Sequence, residues 1–268
     1  MLELKSVTKI FNAGGVNERV ALREVSLYVR PGEVVTIIGG NGAGKSTLLN
    51  AIAGVYEVEQ GRILLDGRDI TYCPEHVRAG WIGRVFQDPM KGTAASMTIE
   101  ENLALALRRG RSRGLKWGVT PAERDLFRKR LSLLGLGLEE RLSTRVGLLS
   151  GGQRQALTVL MATITTPKLL LLDEHTAALD PRTARTVMEL TEKIIEQHRL
   201  TTLMVTHNLE QALRTGHRTI MMHEGRIILD LSGPERARTT VSQLLEMFEQ
   251  ASGTALTDDR ILLTGTGS

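Results

Sequence analysis

Gly39, Gly40, Asn41, Gly42, Ala43, Gly44, Lys45, Ser46 and Thr47 match the phosphate-loop pattern G-x-x-x-x-G-K-[ST]. Glycines at this density let consecutive backbone N–H groups face phosphate oxygens without a side chain intervening. A helix that follows such a loop adds its positive N-terminus. Lys45 then supplies a mobile charge for the β- and γ-phosphates of a nucleotide, and the Ser46 hydroxyl can ligate Mg²⁺. A second chemical feature is the run Leu169-Leu-Leu-Leu-Asp173-Glu174, an apolar strand ending in two acids. Taken alone, such an ending is an ordinary solvated one. Downstream of a phosphate loop it fits a Walker B element, with Asp173 holding Mg²⁺ directly or through water. Glu174, one residue further out, is then placed to orient and activate an attacking water.

A third feature is Leu149-Ser150-Gly151-Gly152-Gln153 ahead of a helical run from Arg154 to Ile164. Ser150 suits an N-cap and Gln153 completes a capping box. Two successive glycines add nothing to a cap, but they bare backbone amides and create a second anion-binding helix terminus. One phosphate loop plus a second γ-phosphate-type site points to a nucleotide held between two surfaces.

The elements that must position these groups alternate. Leu2, Leu4 and Val7 begin a strand, Val25–Val29 forms another up to Pro31-Gly32, and Glu33–Gly39 is a β-branched run suited to burial on both faces. Ser46–Ala53 is expected as a helix, and Arg62–Asp66 as a hairpin strand. From about 89 to 167 the pattern turns helical. Thr98 with Glu101 opens one helix to Arg108, and Thr120-Pro121 opens another to about Leu134. Strands at 169–172 and 200–205 then alternate with helices at 181–198 and 208–214. A hairpin is expected at 218–222 and 226–231, and a last helix from Val241 to about Gln250. Residues 1–250 thus read as one α/β domain with a helical insertion at about 89–167, and 251–268 as a loose tail.

Composition sets the outer bounds. The chain has 268 residues, 41% hydrophobic and 24% charged, which excludes a disordered chain, a collagen-like repeat and a disulfide scaffold. The longest stretch without an acid or base, Gln155 to Pro167, is too short to span a bilayer. No apolar segment follows a basic start, so no secretory leader is expected. The single cysteine, Cys73, fits a reducing cytoplasm. A net charge of +4 permits a nucleic-acid or membrane partner without arguing for one.

Together, in this order and spacing, the loop at 39–47, the Leu149–Gln153 segment and the Leu169–Glu174 run resemble an ABC-transporter ATP-binding subunit, from Leu2 to about Gln250. The resemblance implies an α/β fold: a P-loop NTPase core of mostly parallel sheet, an N-terminal antiparallel β-subdomain and an inserted α-helical subdomain. It implies ATP and Mg²⁺ as ligands; no Asn-Lys-x-Asp element of guanine specificity occurs. Gln87 resembles the Q-loop glutamine that contacts Mg²⁺ or water. Asp180, in Ala178-Leu179-Asp180, resembles the D-loop that crosses to a partner subunit. His207, after Thr206, resembles the switch histidine that contacts the γ-phosphate. Phe11 stands where the family places an aromatic on adenine, although a strand residue packed in the core would look the same. His175 departs from the family, which more often has proline there, and is expected to pack.

The implied assembly is a head-to-tail homodimer around two MgATP, with the Ser150–Gln153 segment of one copy closing over the γ-phosphate held by the other. It would sit peripherally on the cytoplasmic face of the cell membrane, docked on separate integral membrane permease subunits. An extracytoplasmic solute-binding protein is implied as well, and no nucleic acid. His175 and Lys91–Asn102 resemble an importer subgroup whose permeases look like those for branched-chain or aromatic amino acids. An ATPase driving a mechanical membrane complex would carry identical motifs. A soluble relative acting on nucleic acid or ribosomes usually has two cassettes or a long coiled-coil insertion, and neither is visible. The basic run Arg108, Arg109, Arg111, Arg113 and Lys116 is expected as a solvated loop rather than a contact for lipid headgroups or RNA.

Overall fold

In the computed structural model, which describes residues 1–110 and 118–253, the chain forms two compact units. The first takes Met1–Arg78 and the chain from Thr201 onward; the second is Ala79–Leu200. The first unit opens with β1 (Leu2–Phe11), β2 (Arg19–Val29), β3 (Val34–Ile38), α1 (Lys45–Ala53), β4 (Gln60–Leu65), β5 (Arg68–Asp69) and α2 (Glu75–Arg78). β2, β1, β4 and β5 make an antiparallel sheet in that order. Leu2, Leu4 and Val7 are buried on β1, as their alternation requires. β2 is longer than the expected Val25–Val29. Its alternation slips where Glu24 takes φ 50°, near shifts in the β1–β2 register, so the period-2 signal is lost over the first half of the strand.

The short helix α2 carries no periodic signal. Its last residue, Arg78, is 2% exposed and is held by carbonyl groups alone among its hydrogen-bond partners. It donates to Ala51, Ile52, Thr71 and Cys73, each at 2.8 Å. Two of those acceptors are the last-turn carbonyls of α1, so a buried cation caps the negative end of the helix that begins at the phosphate loop.

The second unit contains β6 (Ile82–Val85), α3 (Ile99–Leu107), α4 (Pro121–Ser132), α5 (Gly151–Thr163), β7 (Leu169–Asp173) and α6 (Pro181–His198). β6 and β7 are parallel, with Val85 opposite Leu172. β6 was hidden by Gly83, whose place is fixed by packing: a Cβ there would lie 2.4 Å from the Ala162 carbonyl oxygen. Ile99, Leu103, Phe127, Leu131 and Leu157, all fully buried, centre the helical core. α3 and α5 start with the expected capping boxes, Thr98–Glu101 and Ser150–Gln153, and α4, opened by Thr120-Pro121 as expected, carries a further box between Thr120 and Glu123. The expectation of a solvated basic loop fails at its first two residues. Arg108 Nη2 donates to Glu123 at 3.0 Å and Arg109 donates to the Met161 carbonyl, which ties α3 to α4 and α5. Arg111, Arg113 and Lys116 lie outside the described residues.

The chain returns to the first unit with β8 (Thr202–Val205), α7 (Leu209–Arg214), β9 (Arg218–His223), β10 (Arg226–Ser232), α8 (Gly233–Arg238) and α9 (Val241–Ser252). β3, buried at every position, lies between β8 and β9 and is parallel to both. β9 and β10 form the expected antiparallel hairpin. α9 runs through Ser252, past the point where a loose tail was expected, with Gly253 as its left-handed cap. Residues 254–268 lie outside the described residues.

Candidate functional site

The phosphate loop leaves the carboxyl end of β3. Gly39 has φ 147° and Gly44 φ 101°, and at both a side chain would strike backbone oxygen: Met222 O at 2.2 Å and Ala21 O at 2.7 Å. Only glycine fits at either position. The β9–β10 turn braces the loop, Gly225 N donating to the Ala43 carbonyl at 3.0 Å. Gly44 is also the N-cap of α1 and gives its amides no side-chain acceptor, as an anion-binding terminus requires. Lys45 is 5% exposed, and its Nζ donates to the carbonyls of Gly39 at 2.7 Å and Gly40 at 3.0 Å. Asn41, Gly42 and Ser46 are exposed, and Thr47 is half-buried.

Two further residues of the first unit face the same region of the fold. β8 ends beside β3, and Thr206 N donates to Ile37 O at 3.2 Å, so Thr206-His207 leave the sheet at the edge where the phosphate loop begins. That is the end of a parallel sheet where ligands collect. Thr206 Oγ1 donates to Gln211 Oε1 at 2.8 Å and accepts from Asn208 N at 3.1 Å, which fixes the turn carrying His207. Phe11 is half-buried at the end of β1 rather than within the core. Its ring meets Tyr56 edge-on, with centroids 5.1 Å apart, and Lys9 Nζ stands 5.3 Å from its centroid.

In the second unit, Asp173 ends β7 and Glu174 follows in a left-handed conformation, φ 47°, closed by Ala177 N donating to Glu174 O at 2.9 Å. A non-glycine residue there costs on the order of 1 kcal/mol, and the turn takes the chain out of the strand at Glu174. Sequence inspection missed Arg84. Its Nη2 stands 3.8 Å from Asp173 Oδ2, and its guanidinium carbon lies 4.5 Å from the centroid of Phe86, the residue before Gln87. The sequence carries no local signal for it, because the strand that bears it, β6, is itself hidden by Gly83. Gln87 itself is exposed.

His175 is 2% exposed and its Nε2 has no hydrogen-bond partner; burial pushes its pKa down to about 4, so the ring is neutral. Asp180 caps α6, accepting from Thr183 N at 3.1 Å, and its hydrogen bonds from Thr183 hold the carboxyl below the usual carboxylate range. Ser150 is exposed and Gln153 half-buried at the start of α5. Gly151 is exposed, whereas Gly152 is buried against Thr183. Packing as well as open amides therefore demands the second glycine.

The glycine cradle, the cationic Lys45 inside it and the uncapped start of α1 fit a phosphate chain. The hydroxyl of Ser46 and the carboxylate of Asp173 are hard oxygen donors of the kind Mg²⁺ takes. The family model described as ABC transporter matches residues 22–177. This chain belongs to the ABC transporter family. The cassette is 45% identical over 251 residues to the tyrosine transport ATP-binding protein of Clostridioides difficile (strain R20291), covering 94% of this chain and 100% of that one. It is 36% identical over 232 residues to a methionine import ATP-binding protein of Corynebacterium efficiens, covering 85% of this chain and 61% of that protein. Among solved structures it resembles the dimeric post-hydrolysis state of the ATP-binding cassette MJ0796 bound to ADP and Pi. That match has TM-score 0.74 and 31% identity, over 87% of this chain and 98% of that one. The ADP conformation of the cassette MJ1267 matches with TM-score 0.76 and 29% identity, over 92% and 98% of the two chains. As a member of this family the cassette is an ATPase that uses ATP and Mg²⁺ and couples hydrolysis to transport. Among the described residues no helix is long and apolar enough to cross a membrane.

Proposed function

We propose that this chain powers the import of a small amino-acid-type solute, working as a homodimer on a separate membrane permease at the cytoplasmic face. The observation that carries the amino-acid reading is the 45% identity along the full length of a tyrosine transport ATP-binding protein. An importer of this kind would receive its cargo from an extracytoplasmic solute-binding protein, and nucleic acid has no part in the scheme.

Each site residue has a role in that scheme. Phe11 stacks on adenine, and Gly39–Thr47 with Lys45 hold the phosphates through loop amides and the lysine charge. Ser46, Asp173 and Gln87 would hold Mg²⁺, which when bound would offset negative charge on the phosphate oxygens. Glu174 orients the attacking water and takes its proton, while His207 donates to the γ-phosphate. The Ser150–Gln153 segment of the second copy closes over that phosphate, and Asp180 crosses to the partner. Two copies related head-to-tail complete two such sites. Loss of the γ-phosphate contacts lets the pair open, and the groove near Gln87 passes that movement to the permease.

The test is recovery of the tagged chain from gently solubilised membranes of its own organism. Co-purification of a polytopic permease, with a binding protein that holds an amino acid, is the expected result. Recovery with a membrane complex that moves no solute, or with ribosomes or nucleic acid alone, overturns the importer assignment.

A further inference from the structure

Arg19 opens β2 directly opposite Phe11, the two being register partners in the antiparallel β1–β2 pair. Its Nη2 donates to the carbonyl of Gly42 at 3.3 Å, halfway along the phosphate loop. One side chain thus links the strand bearing the adenine-stacking ring to the loop that holds phosphate. Gly42 is what permits the approach: a Cβ on it would lie 3.0 Å from the same Nη2, at φ 78°.

The guanidinium is poorly used as it stands. It carries five N–H donors in a rigid fork, and one carbonyl occupies only one of them. Arg19 is exposed, and among the described residues no carboxylate forms an ion pair with it. The neighbouring carboxylate, Glu18, is turned back into the β1–β2 loop, where its Oε2 accepts from Gly14 N at 2.7 Å. Lys9, on the other side of Phe11, is by contrast neutralised by Glu59 at 2.7 Å. Arg19 is therefore a cation beside the loop whose charge is left over, fixed in place by a carbonyl that does not quench it.

We propose that Arg19 is a nucleotide-contact residue whose guanidinium binds the α- and β-phosphates, the stretch of the phosphate chain between the ring of Phe11 and the amine of Lys45. The proposal rests on the nucleotide-binding role assigned above. A contact of this kind is made equally to a di- and a triphosphate, because it lies before the γ-phosphate.

Calorimetric titration of the full chain with MgATP and MgADP tests it, with Arg19→Met, Arg19→Lys and Lys45→Ala beside the unaltered protein. Arg19→Met is expected to weaken both nucleotides by the same ~10- to 100-fold, the usual range for a charged hydrogen bond. Arg19→Lys recovers part of the loss, since it restores charge without the fork. The melting temperature without nucleotide stays that of the unaltered protein, while the rise produced by ADP shrinks. Affinities within a factor of about two of the original in Arg19→Met would overturn the proposal. So would a lowered melting temperature without nucleotide that accounts for the lost affinity, which would make Arg19 a tether for the loop. An unaltered protein that binds neither nucleotide sinks the underlying assignment itself. Nucleotide binding abolished by Lys45→Ala and untouched by Arg19→Met sinks only the claim about Arg19.

Discussion

Gly152 stands so close to Thr183 that a Cβ on the glycine would lie 2.1 Å from the threonine Cγ2. The contact joins the first turn of α5 to the first turn of α6, whose N-cap is Asp180. Two segments that bear family motifs are thereby locked to each other within one unit. Gly152→Ala is expected to cost about 1–3 kcal/mol, the usual range for overpacking. Adding Thr183→Ser removes the clashing methyl and keeps the hydroxyl, so most of that loss should return. Urea unfolding of both single variants and the double variant measures the coupling. A double variant no better than Gly152→Ala would show that room is not what the glycine provides.

Arg78 is a buried cation whose hydrogen bonds all run to carbonyl groups. Arg78→Met keeps the aliphatic stem and strips donors from the α1 carbonyls Ala51 and Ile52 and from Thr71 and Cys73. The Ala51 carbonyl keeps the Gly54 amide, but each buried acceptor left unpaired costs about 1–3 kcal/mol when nothing relaxes, so a loss of several kcal/mol is the expected order. The readout is the unfolding midpoint together with MgADP affinity, since the helix that frays begins at Lys45.

His175 makes stability fall with acid. Its pKa is depressed from 6.5 to about 4 by burial, so between those values the unfolded chain binds the proton and the folded chain does not. The folded state is therefore penalised as pH drops below about 6.5, reaching about 3 kcal/mol once pH is below the folded value. Between pH 7 and 5 the share due to His175 is about 2 kcal/mol. His175→Leu, which cannot ionise, should lose that slope. An unfolding free energy that falls equally over this interval in both proteins would place the acid sensitivity elsewhere.

Glu174 and Lys45 separate chemistry from binding. Glu174→Gln keeps the shape and removes the base, so turnover should fall by about 100- to 10,000-fold while MgATP affinity holds. Lys45→Ala should instead lose affinity, because the loop loses its charge. Comparison of phosphate release with nucleotide titration, variant by variant, decides both. Equal loss of binding in Glu174→Gln would assign that residue to nucleotide retention rather than to water activation.

Much of the fold was legible from residue type and spacing because the signals were local. Capping pairs such as Thr98–Glu101 and Ser150–Gln153 report helix starts through bonds made within four residues. β3 and β7 announce themselves as short apolar runs because sheet burial on both faces leaves no room for polar side chains. β6 and α2 were silent for the opposite reason. Gly83 and Arg78 are set by Ala162 and by the end of α1, partners far along the chain that no local window contains. Arg108 and Arg109 reversed expectation in the same way, the charge of Arg108 being met by Glu123 and the guanidinium of Arg109 being held by a carbonyl of α5.

By itself the sequence determined the chemistry available to this protein. A loop of glycines before Lys45-Ser46, two acids after a run of leucines and Ser-Gly-Gly-Gln on a helix start need particular residue types at fixed short spacings, and such spacings are visible in one dimension. Tertiary structure alone decided which side chains serve those motifs from outside. Arg84 beside Asp173, Arg19 on Gly42, Thr183 against Gly152 and the burial of His175 each depend on chain segments remote from one another in sequence. Strand register and helix packing bring such segments together, and no local pattern encodes either.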